Sequence, residues 1–116
     1  MGAHMSAYEP SNPDPLGLIE RKAIELAREL LAHEQTVQVF LFGSRAGGRA
    51  FPPSDFDIGI DTGHPIAPET LVRIREAFDS LPIFQKVDVV DFSGVDETFK
   101  AVARRATRML YERKAA

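Results

Sequence analysis

Three aspartates are the residues of this chain whose type and spacing predict chemistry. Asp55 and Asp57 alternate with apolar residues, so in a strand their carboxylates share one face, with Cα atoms about 6.5–7 Å apart. Asp88 lies in a second strand-like segment, residues 85–92. If that strand brings Asp88 beside the pair, each pair of charges near 4 Å costs about 4 kcal/mol at an effective dielectric constant near 20. A divalent cation reverses this repulsion, so the trio predicts a site for Mg²⁺ or Mn²⁺.

A glycine-containing loop before these aspartates predicts phosphate binding. Mg²⁺ usually combines protein carboxylates with water and substrate phosphate oxygens. Gly43 and Ser44 directly follow an apolar strand-like run, so their backbone N–H groups and the Ser44 hydroxyl can point at an anion. Arg45 contacts phosphate or pairs with a nearby acid, and the sequence leaves both open. The loop is not a Walker A motif, because Arg49 and Ala50 stand where that motif requires Lys and Ser or Thr.

Hydrophobic periodicity predicts the elements that position these residues. Helical spacing runs from Asp14 to about His33, strands are expected over 37–42, 55–61 and 85–92, and a second helix begins at Pro68. A last helix is expected after residues 93–96, with an apolar stripe of Phe99, Val102, Ala106, Met109 and Leu110. The predicted order is α-β-β-α-β-α, a single α/β (α+β) domain with helices packed on a small sheet.

Composition excludes several classes of protein. A chain of 116 residues, 44% hydrophobic and 27% charged, fits one globular domain. Without cysteine there is no disulfide, Cys-ligated zinc or thiol nucleophile. No apolar run is long enough to span a bilayer, so we expect a cytoplasmic protein that does not contact membranes. The basic stretch 100–114 is interpreted as the solvated face of the last helix, and we expect no direct binding of nucleic acid.

The N-terminal residues are assigned to a tail. Met1 to Met5 read Met-Gly-Ala-His-Met, which looks like the remnant of an expression tag, and a polar stretch with Pro10 and Pro13 follows. We therefore expect residues 1–13 to be a disordered tail and residues 14–116 to form the domain.

The motifs together resemble a known family. Gly43-Ser44, ten further residues, Asp55-Phe56-Asp57 and the later Asp88 resemble the G-S-x10-D-x-D signature of the DNA polymerase β-like nucleotidyltransferase superfamily. The likeness covers most of residues 36–92 and is greatest to the minimal nucleotidyltransferase (MNT) domain, the antitoxin of HEPN/MNT toxin–antitoxin pairs. The chain departs from many minimal members at Gly47-Gly48, where they have a basic residue, and whether Arg49 replaces it is open.

The resemblance implies roles for individual residues. Asp55, Asp57 and Asp88 would bind metal, with two Mg²⁺ ions expected and Mn²⁺ an alternative, and Asp88 would also activate the acceptor hydroxyl. Gly43 and Ser44 would hold the β- and γ-phosphates of ATP, with Arg45 as a further nucleotide-binding residue. The implied fold is a small mixed sheet flanked by helices. The implied reaction is AMP transfer from ATP to a tyrosine of a HEPN toxin, which silences it.

Two other functions remain open on the sequence. The chain is alternatively a non-catalytic antitoxin that neutralises its partner by stoichiometric contact, or it transfers a nucleotide to RNA or a small molecule together with a helical partner subunit. Asp61 and Asp91 are interpreted as strand-end or loop carboxylates. His33 and His64 are expected to be exposed and are not assigned to catalysis.

Overall fold

A computed structural model describes residues 14–43, 46 and 55–115. The element order is α1 (Pro15–Glu29), β1 (Val37–Phe42), β2 (Phe56–Asp61), α2 (Pro68–Asp79), β3 (Val87–Asp91), a 3₁₀ turn (Phe92–Gly94), α3 (Glu97–Ala103) and β4 (Thr107–Arg113). The predicted order of six elements is confirmed, and a fourth strand follows it. Among the described residues, no helix has the length and apolar character needed to cross a membrane.

The four strands form one mixed sheet in the order β3-β2-β1-β4. β1 pairs antiparallel with β2 and with β4, whereas β2 and β3 are parallel. β1 is therefore a central strand, as its apolar sequence predicts, and five of its six residues are buried.

Helices α1 and α2 cover one face of the sheet. Pro15 occupies the first turn of α1, and the Asp14 carboxylate accepts a hydrogen bond from the Leu16 N–H at 3.2 Å, which caps the helix. Ile19 from α1 and Ile74 from α2 are fully buried against this face. Burial of each such side chain contributes about 1.5–3 kcal/mol to the free energy of folding. This burial determines which face of each strand points toward these helices.

An aromatic cluster covers part of the opposite face. Phe92, from the 3₁₀ turn, packs edge-on against Phe40 and Phe42, with ring centroids 4.9 and 5.2 Å apart. Gly59 lies beneath two of these rings, because a Cβ there would sit 2.6 Å from Phe40 and 2.8 Å from Phe92. α3 closes the cluster with Phe99 and the buried Ala103.

The predicted extent of the last helix is wrong. α3 ends at Ala103, and Thr107–Arg113 forms β4 instead of continuing the helix through Met109 and Leu110. A register shift between Val39 and Phe40 leaves Leu110 as an extra residue in β4. Leu110 and Tyr111 consequently both pack against the core, which removes the strict alternation that identifies a strand in a sequence.

The basic C-terminal stretch is not a solvated helix face. The Arg113 guanidinium donates hydrogen bonds to the backbone oxygens of Ala27, Leu31 and Glu34 at 3.1, 2.9 and 2.7 Å. These carbonyls lie at and just beyond the end of α1, where carbonyls lack helical partners and the helix dipole favours a cation. Arg113 therefore joins β4 to α1.

A second contact joins the turn after β2 to the turn after α1. His64 Nε2 lies 2.6 Å from Glu34 Oε1, and the Glu34 carboxylate is almost fully buried. The hydrogen bond to Glu34, the largest cause, raises the pKa of His64 above 6.5, with smaller contributions from the Pro65 carbonyl and the charges of Glu34 and Asp91.

We expect Arg113→Met to lower the free energy of unfolding by about 2 kcal/mol, because three carbonyls lose a charged donor. Urea denaturation measures the change. Arg108→Met is the matched control, since the Arg108 guanidinium has no ion-pair or hydrogen-bond partner among the described residues, and it should change stability by less than about 0.5 kcal/mol. Equal effects of the two substitutions would contradict the structural role of Arg113.

We expect an NMR titration to place the pKa of His64 above 6.5 and Glu34→Gln to lower it. Because the folded-state pKa is raised, the stability that this contact adds is fully present below about pH 6.5 and is lost as the pH rises through the folded value. Glu29→Gln, an exposed change of the same charge on α1, should leave the His64 titration unchanged. A wild-type pKa at or below 6.5 would refute the contact.

Candidate functional site

Parallel pairing of β2 and β3 places two of the predicted aspartates side by side. Asp57 and Asp88 are register partners across these strands, whose backbones lie about 4.8 Å apart. Their neighbours Phe56, Ile58, Val87 and Val89 are buried in the main core, so alternation puts both carboxylates on the other face. Asp55 is exposed and lies just before β2 begins. The structure therefore brings Asp57 and Asp88 together, with Asp55 adjacent.

Gly43 lies directly against the Asp57 carboxylate. It follows the end of β1 with a φ of +76°, a backbone conformation that favours glycine. A Cβ at this position would lie 2.7 Å from Asp57 Oδ2, so any side chain would displace the carboxylate. The sequence predicted that the Gly43 backbone N–H can point at an anion, and the structure shows that Gly43 also makes room for Asp57.

The site concentrates negative charge. Partial burial raises the pKa of Asp57, and the charges of Asp88 and Asp55 raise it further. The ammonium group of Lys86 lies 3.5 Å from Asp88 Oδ1 and offsets part of that charge. Among the described residues, no ion pair involves Asp55 or Asp57. The ionised form of Asp57 is therefore disfavoured, and a bound cation would stabilise it.

The donor chemistry fits a magnesium ion. Within residues 14–43, 46 and 55–115, no three Asp, Glu, His or Cys side chains converge closely enough to form a complete metal cage. Mg²⁺ does not require one, because it binds one or two carboxylates and takes its other ligands from water and phosphate. Asp57 and Asp88 can supply those two carboxylates, and Asp55 is near enough to influence the pKa of Asp57.

Most of the predicted phosphate-binding loop, including Ser44, Arg45 and Arg49, lies outside the described residues. Ala46 is described, and its N–H donates to the Gly43 carbonyl at 3.2 Å, which closes a turn between these two residues. This turn begins beside Asp57, where a phosphate-binding segment would have to lie.

Asp61 and Asp91 stand at strand ends, as the sequence predicted, and both have partners within the fold. Asp91 accepts hydrogen bonds from the Ile66 and Ser93 N–H groups at 2.9 and 3.0 Å. Asp61 forms an ion pair with Arg104, with an N–O distance of 3.0 Å. Both residues stand at the ends of their strands opposite Asp57 and Asp88, so they do not join the site.

The two histidines also lie away from the site. His33 and His64 both contact Glu34, at 3.2 and 2.6 Å, and their side chains are largely exposed, as the sequence predicted. Lys86 was not among the site residues predicted from the sequence. Its position two residues before Asp88 in the strand-like segment was the available signal, because side chains two apart share a face.

Comparisons with known proteins identify the family of this chain. The family model described as "Polymerase beta, Nucleotidyltransferase" matches residues 25–116. A relative from Haemophilus influenzae, named probable protein adenylyltransferase MntA, is 30% identical over 76 residues, which are 66% of this chain and 67% of the relative.

Two solved structures share the fold. A crystal structure of a toxin–antitoxin with AMP-PNP superposes with a TM-score of 0.64 at 22% identity, covering 79% of this chain and 72% of that one. A Shewanella oneidensis complex of a tri-AMPylated HEPN toxin with an MNT antitoxin gives 0.58 at 20% identity, covering 79% and 68%. The aspartate pair beside Gly43 thus stands on a shared fold, and the chain belongs to the polymerase beta nucleotidyltransferase family.

Proposed function

We propose that this chain is a metal-dependent nucleotidyltransferase that transfers AMP from ATP to a tyrosine hydroxyl of a partner HEPN toxin and so acts as its antitoxin. The observation that supports it best is the lateral pairing of Asp57 with Asp88 against Gly43. The name of the Haemophilus influenzae relative supports protein adenylylation. The Shewanella oneidensis complex, in which a HEPN toxin is AMPylated and bound to an MNT antitoxin, supports the choice of partner.

The chemistry divides between the carboxylates and the glycine turn. Asp57 and Asp88, with Asp55 beside them, would hold Mg²⁺, which supplies positive charge to the phosphates and to the reacting oxygens. The turn that starts at Gly43, with Ser44 and Arg45, would hold the β- and γ-phosphates. Binding of ATP between these groups presents the α-phosphorus to the face that carries Asp88.

Transfer requires an acceptor hydroxyl at that face. Its oxygen forms a bond to the α-phosphorus, the bond from that phosphorus to the oxygen bridging to the β-phosphate breaks, and pyrophosphate leaves. The hydroxyl proton passes to an oxygen of the Asp88 carboxylate. The Asp88 side chain is 42% exposed, so a hydroxyl presented by another protein can reach it. Positioning and charge neutralisation lower the barrier of such a step.

The proposal is tested with ATP labelled at the α-phosphate, Mg²⁺ and the proposed HEPN partner. We expect label on a tyrosine of that protein and a loss of about 100-fold or more for Asp57→Asn, which keeps the side chain's shape but removes its charge. Glu29→Gln, an equal change of charge on the outer helix α1, should transfer label at the wild-type rate.

The same assay separates the other functions. Label on RNA or on a small molecule would show that this molecule, and not a protein, is the acceptor. Absence of label, with the toxin still neutralised by the Asp57→Asn variant, would identify a non-catalytic binding protein.

Thermal unfolding tests the metal site without measuring activity. In a chelating buffer at pH 7, Asp57→Asn should melt at a higher temperature than the wild type, because an ionised carboxylate leaves a partly buried position beside two like charges. Added Mg²⁺ should stabilise the wild type, since a ligand that binds only the folded state shifts the equilibrium, and should leave the variant almost unchanged. If Mg²⁺ raised the melting temperatures of the wild type and of Asp57→Asn equally, the ion would bind at a site that does not include Asp57.

A further inference from the structure

A cleft of about 290 Å³ adjoins the site where α3 and the chain entering β4 meet the end of β1. Its lining includes the apolar side chains of Phe42, Phe99 and Val102. Gly43 also lines it, so the cleft is continuous with the turn that touches Asp57. Arg105 contributes a charged side chain to the lining.

Strand register fixes where Arg105 lies relative to the carboxylates. At this end of the sheet Phe42 is flanked by Asp57 on β2 and by Thr107 on β4, and Asp88 pairs with Asp57 on the far side. Arg105 precedes Thr107 by two residues. Since neighbouring strands lie about 4.8 Å apart, β4 stands about 10 Å from β2. The aspartate pair and Arg105 therefore lie on opposite sides of β1 and the turn that begins at Gly43.

Arg105 differs from Arg104 and Arg75, whose guanidinium groups have partners within the fold. Arg104 pairs with Asp61 and its guanidinium carbon lies 5.0 Å from the Phe40 ring centroid. Arg75 donates to the Val89 carbonyl at 3.1 Å. Within the described part of the chain, the Arg105 guanidinium has no ion pair or hydrogen bond, although it borders an apolar cleft. Its charge is available for a ligand.

We propose that Arg105 binds the terminal phosphate of the nucleoside triphosphate, at the end that leaves as pyrophosphate. This inference rests on the proposed function. A triphosphate that begins at the Asp57–Asp88 pair and passes Gly43 would end in the cleft beside Arg105. The guanidinium fork matches phosphate oxygens in two parallel hydrogen bonds.

Arg105 is a positioning residue with a specific energetic role. Negative charge grows on the β- and γ-phosphates as the bond to the α-phosphorus breaks. A cation held at the far end of the triphosphate stabilises this charge and keeps the α-phosphorus aligned with the acceptor. AMP lacks the phosphates that reach the cleft, so its affinity should be independent of Arg105.

Binding measurements with matched variants test this role. Titration calorimetry with Mg²⁺ would compare ATP, ADP and AMP on the wild type, Arg105→Ala, Arg105→Lys and Arg108→Ala. Arg108 is a strict control, because it is also exposed and loses the same charge, but its partner Leu41 places it on the other face of the sheet. Melting temperatures equal to that of the wild type confirm that the variants fold.

We expect Arg105→Ala to weaken ATP binding about 10-fold or more while AMP binding stays unchanged, Arg105→Lys to recover part of the loss, and Arg108→Ala to bind as the wild type does. Equal ATP affinity and equal rates of AMP transfer for Arg105→Ala and the wild type would overturn the inference and leave the proposed function intact. Loss of toxin binding with ATP binding retained would also overturn it, by assigning Arg105 to the partner interface. A wild type that binds no ATP with Mg²⁺ would overturn both.

Discussion

Repulsion between carboxylates is the constraint on which this structure is organised. Two aspartates stand opposite each other on parallel strands, in a position where burial and charge both oppose ionisation of Asp57. The register between β2 and β3 is fixed by two apolar pairs on the opposite face, Phe56 with Val87 and Ile58 with Val89, which are buried in the core. A slip of one residue would move those apolar side chains to the solvent face, so the core maintains a pairing that the carboxylates alone would not.

The face that bears the carboxylates is divided into two parts by small residues. At one end Gly43 leaves space for the Asp57 carboxylate, and in the middle Gly59 leaves space for the rings of Phe40 and Phe92. The aromatic cluster anchors the 3₁₀ turn and α3 over the middle of the sheet. The acidic end stays accessible, because the aromatic packing that stabilises this face stops at Phe42 and Phe99.

The sequence predicted the parts of the molecule in which one signal dominates. Alternation in residues 55–61 identified β2 and its acidic face, and the apolar run before Gly43 identified the central strand. The motif spacing pointed to Asp88, whose approach to Asp57 depends on a parallel pairing that no local pattern encodes. β4 escaped detection because an extra residue at Leu110 breaks its alternation. Lys86 and Arg105 were not predicted as site residues, because the role of each depends on which residues of neighbouring strands lie beside it.

The bulge at Leu110 has a consequence for how β4 is used. Thr107 and Arg113 are six residues apart, so in a regular strand their side chains would emerge on the same face. The extra residue reverses the alternation partway along, so Thr107 shares the face of Phe42 while Arg113 shares the face of Val37 and reaches α1. One short strand thereby borders the candidate site at its start and is fastened to α1 at its end. Deletion of one residue there would move the side chains of half of the strand to the opposite face of the sheet. Thr107 and Arg113 could then no longer both keep their present contacts.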